Sequence, residues 1–163
     1  MFLPTLTFEM PLPKLRIWEL ATGKLILKED PKSTNIKLKA TSGAIAYQFS
    51  NSYLIVKRGC LPPSAAIAPK SWEVETKPIT LPQVKGVGGN FYAIKPFAVS
   101  VFGVQRSDLG IHYDGTAAGS AGCIVILDRG HWTYFEEKMQ QICNRGIPRL
   151  ALTVIYPILA EIY

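Results

Sequence analysis

FGVQRSDLGIHYDGTAAGSAGCIVIL, residues 102–127, is the stretch whose reading decides the fold. Ile111 to Tyr113 is a short apolar run, and Cys123 to Leu127 is a second one rich in β-branched residues. The nine residues between them hold Asp114, Gly115, Gly119, Ser120 and Gly122. Apolar runs bounded by such breakers are strand and hairpin signals. The reading is therefore strand, loop, strand, paired antiparallel as a hairpin. His112 is the next-to-last residue before the loop and Cys123 the first after it. In an antiparallel pair these side chains stand nearly opposite, with Cβ atoms about 5 Å apart.

That juxtaposition has a chemistry. A free thiol is mostly protonated at neutral pH, and a neighbouring imidazole can take its proton. Glycines around the cysteine let backbone N–H groups converge on one point, where they can hold the oxyanion of a tetrahedral intermediate. Ser120 and Gly122 leave the thiol uncrowded, so a substrate carbonyl can reach it. A cysteine opening an apolar strand is more often a small core residue. The combination of histidine, glycine-rich loop, Ser-x-Gly-Cys and aliphatic strand is more specific than the two residues alone.

Ser120-Ala121-Gly122-Cys123-Ile124 resembles the Ser-His-Gly-Cys-Ile/Val core of the L,D-transpeptidase catalytic domain family, with His112 standing where that family has its upstream histidine. The resemblance extends downstream, where a helical stretch over Trp132–Asn144 precedes Gly146-Ile147-Pro148 and an apolar run over Arg149–Tyr156. It implies a mainly β fold and attack by a cysteine on peptidoglycan stem peptides. It further implies Cys123 as nucleophile, His112 as its base, and backbone groups near Ser120 and Gly122 as orienting and oxyanion elements. Ala121 replaces the family's second motif histidine, Val125 stands where an arginine is usual, and the His–Cys spacing is short. The looser Ser-x-Gly-Cys form resembles secreted antibacterial L,D-carboxypeptidase effectors and phage-type relatives. Arg106, Tyr113 and Gly119 are candidate substrate-binding residues, although Arg106 by itself reads as a solvated loop charge.

The 163 residues suit a single domain, and a composition 48% hydrophobic and 18% charged excludes a disordered chain. The net charge of +6 favours an anionic partner, but the bases are scattered, so no nucleic-acid partner is expected. Three cysteines cannot pair completely within one chain. Cys60 and Cys143 read as packing residues, Cys143 shielded beside the helical stripe, leaving Cys123 as the thiol that labels first. With two histidines and no zinc-type spacing, neither metal nor cofactor is expected. There is no integral membrane segment and no signal peptide by pattern, so work at the cell wall calls for a secretion machine or release by lysis.

Along the chain, residues 1–13 carry Pro4, Pro11 and Pro13 and read as an irregular arm. Strands are expected over Lys14–Leu20, Lys24–Lys28 and Ile36–Ala40, the last ending at Ser42-Gly43. A hairpin is expected from Ala44–Phe49 and Tyr53–Lys57, then a loop over Arg58–Lys70. Trp72–Leu81 gives one or two short strands broken by Pro78. Lys85–Asn90 reads as a glycine turn and fails as a phosphate loop, because no Gly-Lys-Ser/Thr ending or helix follows. Phe91–Ile94 and Phe97–Val101 are strands. Asp128 caps a helix running to Asn144 whose face Trp132, Phe135, Met139 and Ile142 is core, and His131 at its start is exposed. The fold expected is one mainly β domain, a mixed sheet or sandwich with one packed α-helix, over residues 1–163. Its function is cysteine-dependent acyl transfer or hydrolysis on stem peptides. The alternatives are a non-catalytic cell-wall binding module of the same fold and a cysteine hydrolase acting on another amide.

Overall fold

A computed structural model describes residues 2–14, 18–68, 70–81, 89–113 and 119–157. Eleven strands and one α-helix follow one another in the described chain. They are β1 (Thr5–Glu9), β2 (Gly23–Lys28), β3 (Ile36–Ala44), β4 (Trp72–Glu75), β5 (Ile79–Leu81) and β6 (Gly89–Lys95). β7 (Ala98–Val101), β8 (Val104–Ser107), β9 (Gly110–Tyr113), β10 (Gly119–Ile126), α1 (Arg129–Asn144) and β11 (Arg149–Ile155) complete the set. The protein is mainly β with one helix. Its principal sheet runs β4-β11-β1-β2-β3-β10-β9-β6-β5, and β4 also pairs with β6. That last pairing closes eight strands into a barrel and leaves β5 on the outside edge of β6. The sheet is mixed as expected, with parallel pairs β1–β11 and β9–β10, but it closes on itself instead of stacking as two layers.

Period-2 alternation builds the core. Leu6 and Phe8 in β1, Leu25 and Leu27 in β2, and Leu150, Leu152 and Val154 in β11 are buried while their neighbours reach solvent. The N-terminal arm is thus a central strand, because Pro4 and Pro11 flank its alternation without interrupting it. Over 14–20 the expected strand is absent from residues 18–20, where Trp18 is exposed, and residues 15–17 lie outside the described residues. β3 runs past the expected break through Ser42 and Gly43 to Ala44.

The hairpin expected over 44–57 does not form. Ala46, Asn51 and Lys57 adopt positive φ, and Ser52–Leu54 is a short 3-10 turn. Gln48 is buried and draws this segment over β3: its Nε2 donates to Thr41 Oγ1 at 2.6 Å and to the Ser42 carbonyl at 2.9 Å. Apolar alternation in the segment therefore reports packing on the barrel wall, not strand pairing. The glycine turn expected over 85–90 falls mostly on residues outside the described ones.

The helix matches its sequence signals. Asp128 Oδ1 accepts the His131 N–H at 2.9 Å, and this bond holds the carboxyl below the usual aspartate range. Trp132, Phe135, Met139 and Ile142 are buried and join the barrel core. Tyr92 meets Phe135 edge-on with centroids 5.1 Å apart, a pairing that contributes about 1 kcal/mol beyond its buried area. Among the described residues no helix is long and apolar enough to cross a membrane.

Candidate active site

β9 and β10 position the two candidate residues, and they run parallel, not antiparallel. Ile111 faces Ile124, His112 faces Val125, and Tyr113 faces Ile126. The breaker-rich run resembles a hairpin loop, but its last four residues, 119–122, already belong to β10. The expected opposition of His112 and Cys123 is replaced by a diagonal one. Cys123 precedes Val125 by two residues, and so shares its face of the sheet with His112. Ile111, Ile124 and Ile126 lie on the other face and join the core, whereas Cys123 and Val125 do not. His112 and Cys123 thus occupy the outer face of the barrel wall, yet they are only 4% and 8% exposed.

The β7–β8 hairpin, paired from Ala98↔Ser107 to Val101↔Val104, returns into β9 through Asp108 and Leu109 and brings Arg106 and Leu109 against Gly122, beside Cys123. Phe91 in β6 stands opposite His112 and stacks on it, with centroids 6.1 Å apart and planes 22° apart. Its ring occupies the space a side chain at 110 would need: a Cβ there would lie 2.2 Å from Phe91 Cζ. Glycine at 110 therefore lets the aromatic ring reach the wall beside the histidine. The sequence places Phe91 in a strand but gives no signal of this role, which depends on cross-strand register.

Gly122, immediately before the cysteine, has φ +113° and sits where β10 slips register against β3. This bulge turns the chain just ahead of Cys123. A Cβ at 122 would lie 2.2 Å from Arg106 Nη2, so the arginine packs against the backbone here. By residue type Arg106 reads as a solvated loop charge, but it is a strand residue of β8, 2% exposed. Its Nη1 donates to the carbonyls of Tyr53 and Cys60, the latter at 3.0 Å, and its Nη2 to the Gly59 carbonyl at 3.2 Å.

The Cys123 thiol donates to the Asp108 carbonyl at 3.8 Å. Burial pushes it up to about 11; a hydrogen bond from the Gly110 backbone and the charge of Arg106 pull it down, and Asp108 pushes it further up. The resting cysteine is thus a neutral thiol at physiological pH. His112 Nδ1 lies 3.3 Å from the Tyr113 carbonyl. A carbonyl only accepts, so in the neutral ring this contact places the proton on Nδ1 and the lone pair on Nε2.

Of the other candidates, Tyr113 alternates to the core face and stacks on Trp132, centroids 6.4 Å apart. Gly119 begins β10 opposite Ala44, and Ser120 follows it in the strand. The Ser120 and Ala121 side chains, with residues 114–118, lie outside the described residues. Cys60 is fully buried, and burial pushes it too up to about 11. Cys143 is half-buried, not shielded, because it falls beside the helix's buried stripe and not on it. His131 is half-buried and accepts the Lys39 N–H through Nδ1 at 3.0 Å, tying α1 to β3. Among the described residues no cluster of three His, Cys, Asp or Glu side chains could hold a metal ion. Comparisons with protein-family models, curated proteins and solved structures return no match for this chain.

Proposed function

We propose that the protein is a cysteine-dependent acyl-transfer enzyme of L,D-transpeptidase type acting on peptidoglycan stem peptides, with Cys123 as nucleophile and His112 as general base. The observation that carries this reading is the placement of both side chains on one covered face of adjacent strands, directly after a glycine at positive φ. The resemblance of the Ser-x-Gly-Cys motif to the L,D-transpeptidase core is what suggests the family.

Because the resting thiol is neutral, its proton passes to His112 Nε2 first, and the thiolate so formed attacks. The Sγ–C bond forms at a peptide carbonyl next to a D-amino acid, and backbone N–H groups around Gly122 hold the oxyanion. The carbonyl then re-forms, the C–N bond breaks, and His112 returns the proton to the leaving amine. Water releases the thioester as a carboxylate; an acceptor amine releases it as a new amide. Gly119 and the Ser120 backbone border the approach, and Tyr113 acts from beneath by fixing the end of β9 on Trp132. Arg106, held by backbone carbonyls, is not the residue that takes the substrate carboxylate. Such work would be done at the cell wall.

A non-catalytic cell-wall module of the same fold is the second reading, favoured by the burial of Cys123. Digestion of muropeptides, read by mass spectrometry, separates the two. Loss of a terminal D-residue or formation of a cross-linked product, abolished in Cys123→Ala, is expected. Unchanged muropeptides that nevertheless bind the protein would leave the module.

A further inference from the structure

We propose that Arg106 is a positioning residue for Cys123: a buried guanidinium, fixed by backbone carbonyls of the 53–60 segment, that braces Gly122 and presents a permanent positive charge to the thiolate formed when the cysteine acts. This rests on the reading of Cys123 as nucleophile.

Burying an arginine is costly, and its charge-assisted bonds to neutral carbonyls offset only part of that cost. Arg106 is 2% exposed, and its planar fork meets the carbonyls of Tyr53, Gly59 and Cys60. The same group occupies the space that a side chain at 122 would fill, one residue from the nucleophile. Among the described residues, the groups whose charges act on it include Tyr156, Cys60 and Cys123. Burial keeps Tyr156 and Cys60 neutral in the physiological range. Cys123 is the one of the three that the proposed reaction makes anionic. A charge held at fixed distance in a dry site stabilises that anion without reorganisation at the moment of attack. Asp108, two residues on, carries the opposing charge, but it is exposed and therefore screened.

The test compares Arg106→Lys, which keeps a charge, with Arg106→Gln, which keeps donors for the carbonyls. Iodoacetamide labelling of Cys123 is followed against pH by peptide mapping, beside thermal melting and muropeptide turnover. Arg106→Gln should slow Cys123 labelling at pH 8 by about tenfold, as loss of one unit of thiolate stabilisation requires. Arg106→Lys should retain at least about a third of the wild-type rate, even where both variants melt earlier. Equal slowing by both variants, or no slowing by Arg106→Gln, would overturn the proposal. Should Arg106→Gln fail to fold, the wild-type Arg106 Nε–H NMR resonance decides. It should shift with the same pH midpoint as Cys123 labelling, and a resonance that stays still through that midpoint refutes the role. A protein that shows the Arg106 effect on labelling but turns over no muropeptide retains this charge relationship and loses the enzyme reading alone.

Discussion

His112 stands opposite Val125, and Cys123 lies two residues upstream on the same face of the barrel wall. The pair is diagonal and covered. Phe91 lies against the histidine, and the segment through Asp108 accepts the thiol proton.

This arrangement makes the two histidines separable. His112→Ala should abolish muropeptide turnover and slow labelling of Cys123. His131→Ala should leave turnover nearly intact and cost about 1 kcal/mol of stability, since it removes the bond from the Lys39 N–H. Turnover and melting curves of both variants check this; equal loss of turnover would mean that the base is misassigned.

The three thiols should label in an order set by exposure. From the motif alone Cys123 is the expected first target. Its burial and neutral resting state reverse that, so near-neutral iodoacetamide should modify half-buried Cys143 first and spare Cys60. Labelling of Cys123 should rise about tenfold per pH unit toward its alkaline midpoint. Peptide mapping across pH 7 to 10 reads the order directly.

Much of the fold was legible in particular residues. Asp128 and the stripe Trp132, Phe135, Met139 and Ile142 announce the helix, because capping and 3.6-residue spacing are local properties. β3 follows from alternation, and β2, β4, β5, β6 and β11 from short apolar runs bounded by turn residues. Pairing direction was not legible: β9 and β10 look like a hairpin, and only the sheet as a whole, with β3 and β6 taking their other edges, decides that they run parallel. β1 was hidden by prolines that turn out to flank it. Arg106 reads as surface by residue type, and only the 53–60 carbonyls, distant in sequence, make its burial tolerable. Of the candidate site, the motif suggested Cys123 and His112; Phe91 and Gly110 required the register.

Alkaline pH should destabilise the fold before any strand chemistry changes. Cys60 and Cys123 each rise from 9.0 to about 11 on folding, so the folded state holds their protons more tightly than the unfolded state does. Stability is then fully present below about pH 9 and is lost as pH climbs toward 11, by on the order of 2 kcal/mol per thiol. Urea melts at pH 7, 9 and 10.5 should show this fall, and Cys60→Ala should flatten part of it.

Gly122→Ala should be among the most damaging single-methyl additions. Its φ of +113° disfavours any side chain, and the new Cβ would press on Arg106 Nη2 at 2.2 Å and Leu109 Cδ2 at 3.1 Å. Backbone strain alone costs roughly 1–3 kcal/mol. Thermal melting measures the loss, and Gly103→Ala, with φ +80° and open space around it, separates strain from crowding.

The most direct measurement is the intact mass of the protein quenched during reaction with a stem tetrapeptide. A covalent adduct equal to the acyl fragment, mapped to Cys123 and absent in Cys123→Ala, is predicted. It should persist longer when His112 is alanine and the thioester is formed by forcing at high pH. An unmodified protein under turnover conditions, or an adduct on Cys60 or Cys143, would contradict the assignment of Cys123 as nucleophile.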